Sequence, residues 1–95
     1  MSELSVTLIY AGQLAAQAGV SEETIHMAAN TGLVDVLRNA AEQHGGLFQE
    51  MLFDESDQLR RALVISVDNV QVPSPNSHAI EKDCEVFVMT PIAGG

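Results

Sequence analysis

The spacing of hydrophobic residues changes along this chain, and that change limits the folds open to it. Residues 4–10 alternate apolar and polar side chains, which is typical of a β-strand with one buried face. Residues 33–41 instead carry apolar side chains at positions i, i+3, i+4, i+7 and i+8, the pattern of an amphipathic α-helix. The helical set is Leu33, Val36, Leu37, Ala40 and Ala41. The chain must therefore combine strands with a helix that buries one face.

Four further segments are predicted to be strands. Residues 22–28 form a short β-prone run close behind the first strand, so the two are expected to pair as a hairpin. Residues 62–67 and 70–72 flank Asp68-Asn69, a pair typical of a tight hairpin turn. Residues 86–89 form an apolar fifth strand. These segments predict an α+β domain of two layers, a mixed sheet of about five strands crossed by one main helix.

The ends of the main helix and the segments beside it also carry signals. Asn30 or Thr31 is expected to cap the first free amides, and Gly45-Gly46 to end the helix with a left-handed residue. Residues 11–20 lack a wide apolar stripe and are predicted to be a loop with at most one helical turn. Residues 47–52 are predicted to form a second, short helix.

The dense apolar content of the first and last strands predicts their place in the sheet. We expect them to lie side by side and parallel at its centre, covered by the main helix. The helix side chains at 33, 36, 37 and 40 are then expected to be buried against them.

Charge narrows the classes of partner. The chain has 95 residues, a length typical of one small domain, and 13 acidic residues against 4 basic ones, a net charge of −9. Four basic side chains are too few to neutralise a run of phosphates, so nucleic acid is not an expected partner. The acidity fits either a partner with a basic docking surface or a general need for solubility, and both readings stay open.

The sequence also predicts the cellular compartment of the protein. No apolar run approaches the roughly 18 residues that cross a bilayer, so no membrane association is expected. Residues 1–3 lack the basic start of a secretion signal. A single cysteine, Cys84, cannot form an intramolecular disulfide, which agrees with a reducing compartment. A cytoplasmic protein is therefore predicted.

Signatures of an enzyme are not found in the sequence. The three histidines, His26, His44 and His78, stand on different predicted elements, whereas a metal site needs ligands at short, defined spacings. Cys84 has no adjacent histidine and is expected to be a buried small hydrophobe. Gly45-Gly46 follows a helix instead of preceding one, so a phosphate-binding loop is not indicated. No metal site and no bound cofactor are predicted.

The last residues are the most unusual feature of the sequence. An apolar strand leads into segment 90–95, whose last two residues are Gly94 and Gly95. Glycine lacks a Cβ atom and can pass through a channel too narrow for other residues. Five residues from Pro91 extend at most about 17 Å, enough to carry a carboxylate into a neighbouring active site. No residue of the chain could activate that carboxylate, so another protein would perform the chemistry. A diglycine end can also arise by chance or be artificial.

Taken together, these features resemble the β-grasp sulfur carriers of the MoaD/ThiS group, relatives of ubiquitin in fold. The resemblance covers essentially the whole chain. Residues 31–38 resemble the capped start of the family's helix, and residues 67–72 resemble its valine-asparagine hairpin. Residues 80–86 resemble the family's turn of leucine, any residue, aspartate, glycine, aspartate, glutamate and valine, and residues 86–95 resemble its final strand and tail.

The chain departs from the group's pattern at several positions. Asp68 stands where asparagine is usual, and residues 82–84 differ from the family's turn. Asp83 occupies the glycine position, where a left-handed backbone is expected. Residues 47–61 form a longer segment than the compact members have. The ending 91–95 is closer to MoaD, the small subunit of molybdopterin synthase, than to the thiamine carrier ThiS.

The resemblance implies a division of the chain and a chemistry. Residues 1–91 would form the β-grasp domain, and residues 92–95 a flexible diglycine tail. A ubiquitin-activating-type enzyme, similar to MoeB or ThiF, would use ATP to adenylate the Gly95 carboxylate. A sulfur donor would then replace AMP to give a thiocarboxylate. The chain itself would be a carrier and not an enzyme.

The resemblance also implies roles for single residues. Gly95 would carry the sulfur, Gly94 would permit passage, and Ile92 and Ala93 would line the channel of the acceptor. The residues expected to dock the partner are Phe87, Met89 and Pro91. In the MoaD case the acceptor is the large subunit of molybdopterin synthase, MoaE, which passes sulfur to a pterin precursor. A carrier of the thiamine or another pathway, a protein modifier and a ubiquitin-like binding module remain alternatives.

Overall fold

A computed structural model of the chain describes residues 3–90, and every structural statement below refers to that range. Runs of strands and runs of helices follow one another, the order expected of an α+β domain. In chain order they are β1 (Glu3–Tyr10), α1 (Gln13–Ala18), β2 (Glu22–Ala28), β3 (Thr31–Gly32), α2 (Leu33–His44), α3 (Gly46–Leu52), β4 (Val64–Val67), β5 (Val70–Gln71), β6 (Ala79–Ile80) and β7 (Cys84–Met89), with a 3₁₀ turn at Pro75–Ser77 between β5 and β6.

The main sheet has the strand order β2-β1-β7-β4-β5. β1 and β7 run parallel, with Val6 opposite Cys84 and Tyr10 opposite Val88. The other pairs in this sheet are antiparallel, including the predicted hairpin of β1 with β2. β3 and β6 form a separate two-stranded pair. The prediction that the first and last strands lie parallel at the centre is therefore confirmed.

One hydrophobic core lies between the inner face of the sheet and the helices. The alternation in β1 and β7 turns Val6, Leu8, Val86 and Val88 towards this core, where all four are fully buried. The predicted face of α2 is confirmed, because the five apolar residues assigned to that face are all buried in the same core. None of the described helices is long and apolar enough to cross a bilayer.

The longer segment after α2 has a structural role. α3 places Phe48 in the core, and Phe53 forms an isolated β-bridge with Leu59. Phe53 and Leu59 are also buried. Arg38 of α2 donates a hydrogen bond to the Asp57 carboxylate at 2.7 Å, and its guanidinium lies over the Phe53 ring, 4.5 Å from the centroid. The segment therefore completes the core beside α2.

The turn between β4 and β5 explains why Asp68 is tolerated. Asp68 and Asn69 have φ values of 49° and 70°, the pair of left-handed residues that a two-residue type I′ hairpin requires. The Asp68 backbone N–H donates to the carbonyl of Glu85, and its carboxylate accepts from the Glu85 N–H, both at 2.9 Å. Aspartate at this position therefore also ties the hairpin to β7.

The predicted start of the main helix is wrong. The helix is preceded by Gly32, with no side chain capping the first turn. Thr31 Oγ1 instead donates to the carbonyl of Ala28 at 2.6 Å, and Asn30 occupies a turn with a φ of 67°. Both residues are needed to reverse the chain between β2 and β3. At the other end, Gly45 ends the helix with a φ of 60°, as expected of a glycine there.

Two other expectations need correction. The segment predicted to be a loop contains α1, a six-residue helix that buries only Leu14 and ends at Gly19, whose φ is 81°. Asp83 does not take a left-handed conformation. Its carboxylate accepts a hydrogen bond from the backbone N–H of Ser5 at 2.9 Å, which accounts for an acidic residue where the family has glycine. Strand bounds also shift, since β1 begins at residue 3, β4 at residue 64 and β7 at residue 84, and β5 ends at residue 71.

We expect Leu37→Ala to lower the free energy of unfolding by about 2–5 kcal/mol, the range for removal of a buried leucine side chain. Chemical denaturation followed by circular dichroism measures this change. Gln43→Ala, at an exposed position of the same helix, is the matched control and is expected to change stability by less than about 0.5 kcal/mol. A loss below about 1 kcal/mol for Leu37→Ala would contradict the packing of α2.

Candidate functional site at the end of the central strand

The site residues predicted from the sequence fall into two groups. Phe87 and Met89 lie on β7, within the described part of the chain. The other five, Pro91, Ile92, Ala93, Gly94 and Gly95, lie outside the described residues. The geometry available is therefore that of the strand from which the final segment departs.

β7 is held on both sides as far as Val88, and on one side as far as its last residue, Met89. On one side it pairs with β1, and the N–H of Ala11 donates to the carbonyl of Val88 at 3.2 Å. On the other side it pairs with β4, with Val64 opposite Met89. The chain therefore leaves the sheet from the middle, between two neighbouring strands, and the point of departure is fixed by backbone hydrogen bonds.

The outer face of the sheet beside this point carries a small apolar patch. The register places Phe87 between Ile9 of β1 and Ser66 of β4, and places Met89 beside Val64. Phe87 is half-buried, and Met89 is 36% exposed. We call Ile9, Val64, Phe87 and Met89 the outer-face patch. It forms a partly exposed apolar surface directly next to the root of the final segment.

A shallow cavity extends this patch towards the other end of the strands. It has a volume of about 270 Å³ and is lined by Ile9, Ser66, Asn69, Glu85 and Phe87. Its walls are polar except at Ile9 and Phe87. The apolar character of the outer face is therefore concentrated near the end of β7.

Within residues 3–90, no cluster of three histidine, cysteine or carboxylate side chains could hold a metal ion. His26 contacts the Ser5 hydroxyl, with 3.2 Å between Nδ1 and Oγ, and His44 contacts Glu23. These histidines lie on separate elements, as the sequence indicates.

Cys84 is a buried thiol at the start of β7, 8% exposed. Burial raises the pKa of this thiol, and the negative charges of Asp68 and Asp83 raise it further, outweighing the opposite effect of Lys82. The thiolate, which is the nucleophilic form, is therefore disfavoured.

A larger cavity, of about 860 Å³, lies beside Cys84 and not beside Met89. It is bounded by the β4–β5 hairpin and by the loop that leads to β7. Its lining includes Asp68, Gln71, His78, Glu81 and Lys82. Since β7 runs from Cys84 to Met89, this cavity and the root of the final segment lie at opposite ends of the central strand.

Comparison with known proteins decides the family. The model of the ThiS family matches residues 8–95, almost the whole chain. The chain belongs to the ThiS family. Its members are small ubiquitin-like carrier and modifier proteins, which are not enzymes themselves.

Solved structures agree on the fold. Small archaeal modifier protein 1 from Methanosarcina acetivorans matches with a TM-score of 0.83 and 16% identity, covering 100% of both chains. Urm1 from Trypanosoma brucei matches with a TM-score of 0.78 and 17% identity, again over 100% of both. A putative molybdopterin converting factor subunit 1 from Pyrococcus furiosus matches with a TM-score of 0.72 and 22% identity, covering 94% of this chain and 99% of the other. A comparison with curated protein sequences finds no match. The fold of this ThiS-family chain is thus the ubiquitin-like β-grasp.

A partly buried polar cluster near the root of the final segment was not predicted from the sequence. Tyr10 donates its phenol to Glu23 Oε2 at 2.5 Å, and His44 Nε2 lies 2.6 Å from the same oxygen. The Phe48 ring packs against both rings, with centroids 5.1 Å from Tyr10 and 4.8 Å from His44. The cluster joins β1, β2 and the last turn of α2.

These three polar residues are far apart in sequence, which is why periodicity did not find them. One signal was present, because Glu23 lies at the position of β2 that turns towards the same face as Tyr10. A carboxylate on the covered face needs partners, and a tyrosine and a histidine supply them here. Tyr10 directly precedes Ala11, which bonds to β7, so the cluster supports the backbone beside the root of the final segment.

The cluster predicts a loss of stability in alkali. Burial, the hydrogen bond to Glu23 and the negative charge of Glu23 together hold the pKa of Tyr10 far above its usual value of 10.0. The unfolded chain therefore releases this proton at about pH 10 while the folded chain keeps it, so stability falls as the pH rises past that value. Tyr10→Phe should flatten this fall, measured by chemical denaturation between about pH 9 and pH 11.5.

Both chains in this comparison should carry Cys84→Ala, because the pKa of that thiol is also raised and its titration acts in the same direction. An equally steep loss of stability in the Tyr10→Phe variant would show that Tyr10 is not the group responsible.

Proposed function

We propose that this chain is a sulfur carrier that bears its sulfur as a thiocarboxylate on Gly95. The observation that supports this most directly is that the family match runs through residue 95 and so includes Gly94 and Gly95. These residues follow the central strand after a short segment. The proposal requires that Gly95 is the last residue of the working protein, so that its carboxylate is free.

In the proposed reaction, the chemistry is carried out on this chain by others. The Gly95 carboxylate attacks the α-phosphorus of ATP in the activating enzyme, giving an acyl adenylate and pyrophosphate. The acyl carbon is then electrophilic, since AMP is a good leaving group. A hydrosulfide equivalent from the sulfur donor attacks this carbon and expels AMP, leaving the thiocarboxylate. The carrier needs no bound cofactor, and the ATP is consumed by its partner.

The proposed division is a body, residues 1–91, that docks on the partner protein and a tail, residues 92–95, that extends into the partner's active site. The hydrogen bonds that hold β7 to β1 and β4 support this division, because they fix the body up to Met89. Gly94 would let the tail pass through a narrow channel. Ile92 and Ala93 would line that channel in the acceptor.

The proposed docking surface is the outer-face patch together with Pro91. Met89 is the most exposed of its described members and lies next to the departing segment. A partner that covers this patch removes apolar area from water at the place where the tail enters it. The proposed partners are an adenylating enzyme similar to MoeB or ThiF and an acceptor similar to MoaE. The net charge of −9 favours basic surfaces around their docking sites.

The pathway we propose is molybdopterin synthesis in the cytoplasm, where the acceptor passes the sulfur to a pterin precursor. The ending 91–95 supports this choice over the thiamine pathway. A protein modifier is the second candidate, because several similar structures carry that name. A modifier joins its last carboxyl group to lysine side chains, so it produces conjugates of higher mass, which a sulfur carrier does not need.

Deleting Gly95, or replacing Gly94 by tryptophan, should abolish sulfur loading while leaving the thermal unfolding of the body unchanged. The chain is incubated with the activating enzyme, ATP and a sulfur donor, and intact mass shows whether one oxygen has been replaced by sulfur. Cys84→Ala is the control that should still load, because a thiocarboxylate needs no side-chain thiol. Loading of a folded chain without Gly95, or a ladder of conjugates lost with Gly95, would contradict the sulfur-carrier proposal.

Met89→Glu should weaken binding to the activating enzyme by at least about tenfold, because an unpaired carboxylate in an apolar contact costs more than about 1.4 kcal/mol. The matched control is Val70→Glu, which adds the same charge at the edge strand β5, where Val70 is 68% exposed. Its affinity should change by less than about twofold. Calorimetry measures both, and an equal loss in the two variants would remove the patch from the proposed interface.

A further inference from the structure

β2 is an edge strand with one open side. It is seven residues long and lies at the end of the sheet, with β1 as its neighbour. Among residues 3–90, β1 is the only element with more than incidental backbone contact to β2. The opposite edge strand, β5, has only two residues. The two edges therefore differ, and only β2 offers a long row of backbone groups.

The register identifies which backbone groups of β2 face outwards. The N–H of Tyr10 donates to the carbonyl of Ser21, which lies opposite it in the same register, at 2.9 Å. Hydrogen-bonded and non-hydrogen-bonded pairs alternate along antiparallel strands, so every second residue of β2 counted from Ser21 bonds to β1. In those pairs Glu23, Ile25 and Met27 bond to β1. The alternate residues, Glu22, Thr24 and His26, direct their N–H and C=O groups away from β1.

β2 carries few of the devices that keep natural edge strands from pairing. These devices include proline, lysine and other charged side chains, a β-bulge or a covering element. β2 has neither proline nor lysine, and its two acidic residues are Glu22, which is exposed on the outer face, and Glu23, which turns towards the covered face. Its register with β1 is unbroken from Glu3 opposite Ala28 to Ile9 opposite Glu22, so it has no bulge. The edge is regular enough to template another strand.

The side chains of β2 differ between its two faces. Ile25 and Met27 are partly buried and pack at the margin of the core. On the outer face Glu22, Thr24 and His26 are exposed. In a strand added beside β2, every second side chain would lie next to the apolar margin of the core, and the side chains between them would lie next to the polar, acidic outer face.

The charge of this region is of one sign. Residues 3–28, which include both strands of the hairpin, contain Glu3, Glu22 and Glu23 but no lysine or arginine. Glu23 is already bonded to Tyr10 and His44, whereas Glu22 is exposed. The whole chain has a net charge of −9. An occupant of the edge gains from positive charge, and a second copy of the chain brings the same negative charge.

We propose that the open edge of β2 binds an extended, basic segment of a partner protein, which adds to the sheet as a further strand. In this segment apolar side chains facing Ile25 and Met27 alternate with lysine or arginine facing Glu22. Backbone hydrogen bonds to Thr24 and His26 supply the pairing, and the alternation supplies the specificity.

This interaction goes beyond the sulfur-carrier proposal and does not depend on it. β1 separates β2 from β7, so the edge lies on the far side of the sheet from β4 and β5. A segment bound at β2 leaves the end of β7 free. The experiment below uses neither ATP nor a sulfur donor, so its failure would not bear on Gly95.

The probe is a synthetic peptide as long as β2 in which valine alternates with lysine and threonine. Its matched control has the same side chains but a methyl group on every backbone nitrogen, so it keeps the charge and cannot donate a backbone hydrogen bond to β2. Hydrogen exchange followed by NMR reports on single amides. We expect the peptide to protect the amides of Thr24 and His26, which exchange fast in the free chain, whereas the Ile25 amide is protected from the start. The methylated peptide should protect neither.

Thr24→Pro removes one outward N–H and the hydroxyl contact of Thr24 with Thr7 but no backbone hydrogen bond to β1, so the chain should fold and bind the peptide about fivefold or more weakly. Glu22→Gln should weaken binding by about twofold and reduce its dependence on salt. Glu55→Gln, which removes one charge from the exposed loop after α3, is the matched control and should leave affinity unchanged.

Three results would overturn the proposal. Equal binding of the methylated peptide would show attraction by charge alone. Unchanged affinity in a folded Thr24→Pro variant would place the peptide elsewhere. Protection of Thr24 and His26 that rises with the concentration of the chain itself, without peptide, would show that a second copy occupies the edge.

Discussion

The parallel pairing of β1 with β7 is the constraint on which the rest of the structure depends. Parallel neighbours cannot be joined by a tight turn, so the chain between them must cross the sheet, and α2 and α3 lie on that path. The crossing helices cover Val6, Leu8, Val86 and Val88 on the inner face and create the core. The same pairing puts the last strand in the middle of the sheet instead of at an edge.

A final strand in the middle of a sheet suits a carrier. Hydrogen bonds from β1 and β4 hold the backbone as far as Met89, while the outer face beside it stays uncovered by the helices. The body then acts as a rigid handle, and the short segment that follows can be presented to several enzymes in turn. The buried thiol of Cys84, whose raised pKa keeps it neutral, lies at the far end of the same strand.

The sequence predicts those features that depend on local patterns. Alternation in residues 4–10, the helical stripe of α2 and the Asp68-Asn69 turn each follow from side chains close together in the chain. The errors occur where contacts between residues far apart in the sequence determine the structure. Asp83 escapes a left-handed backbone because its carboxylate bonds to Ser5, and Glu23 is stabilised on the covered face by partners from two other elements. The spacing of apolar residues within a single segment does not predict such contacts.

Locating the sulfur atom is the most direct test of the central claim, that the carboxylate of Gly95 is the working group. The chain is loaded by the activating enzyme and ATP with a sulfur donor enriched in a heavy isotope, then cleaved and sequenced by tandem mass spectrometry. The account predicts that the label appears in the C-terminal fragment, on Gly95. Label on the fragment that contains Cys84, with Gly95 unlabelled, would contradict it.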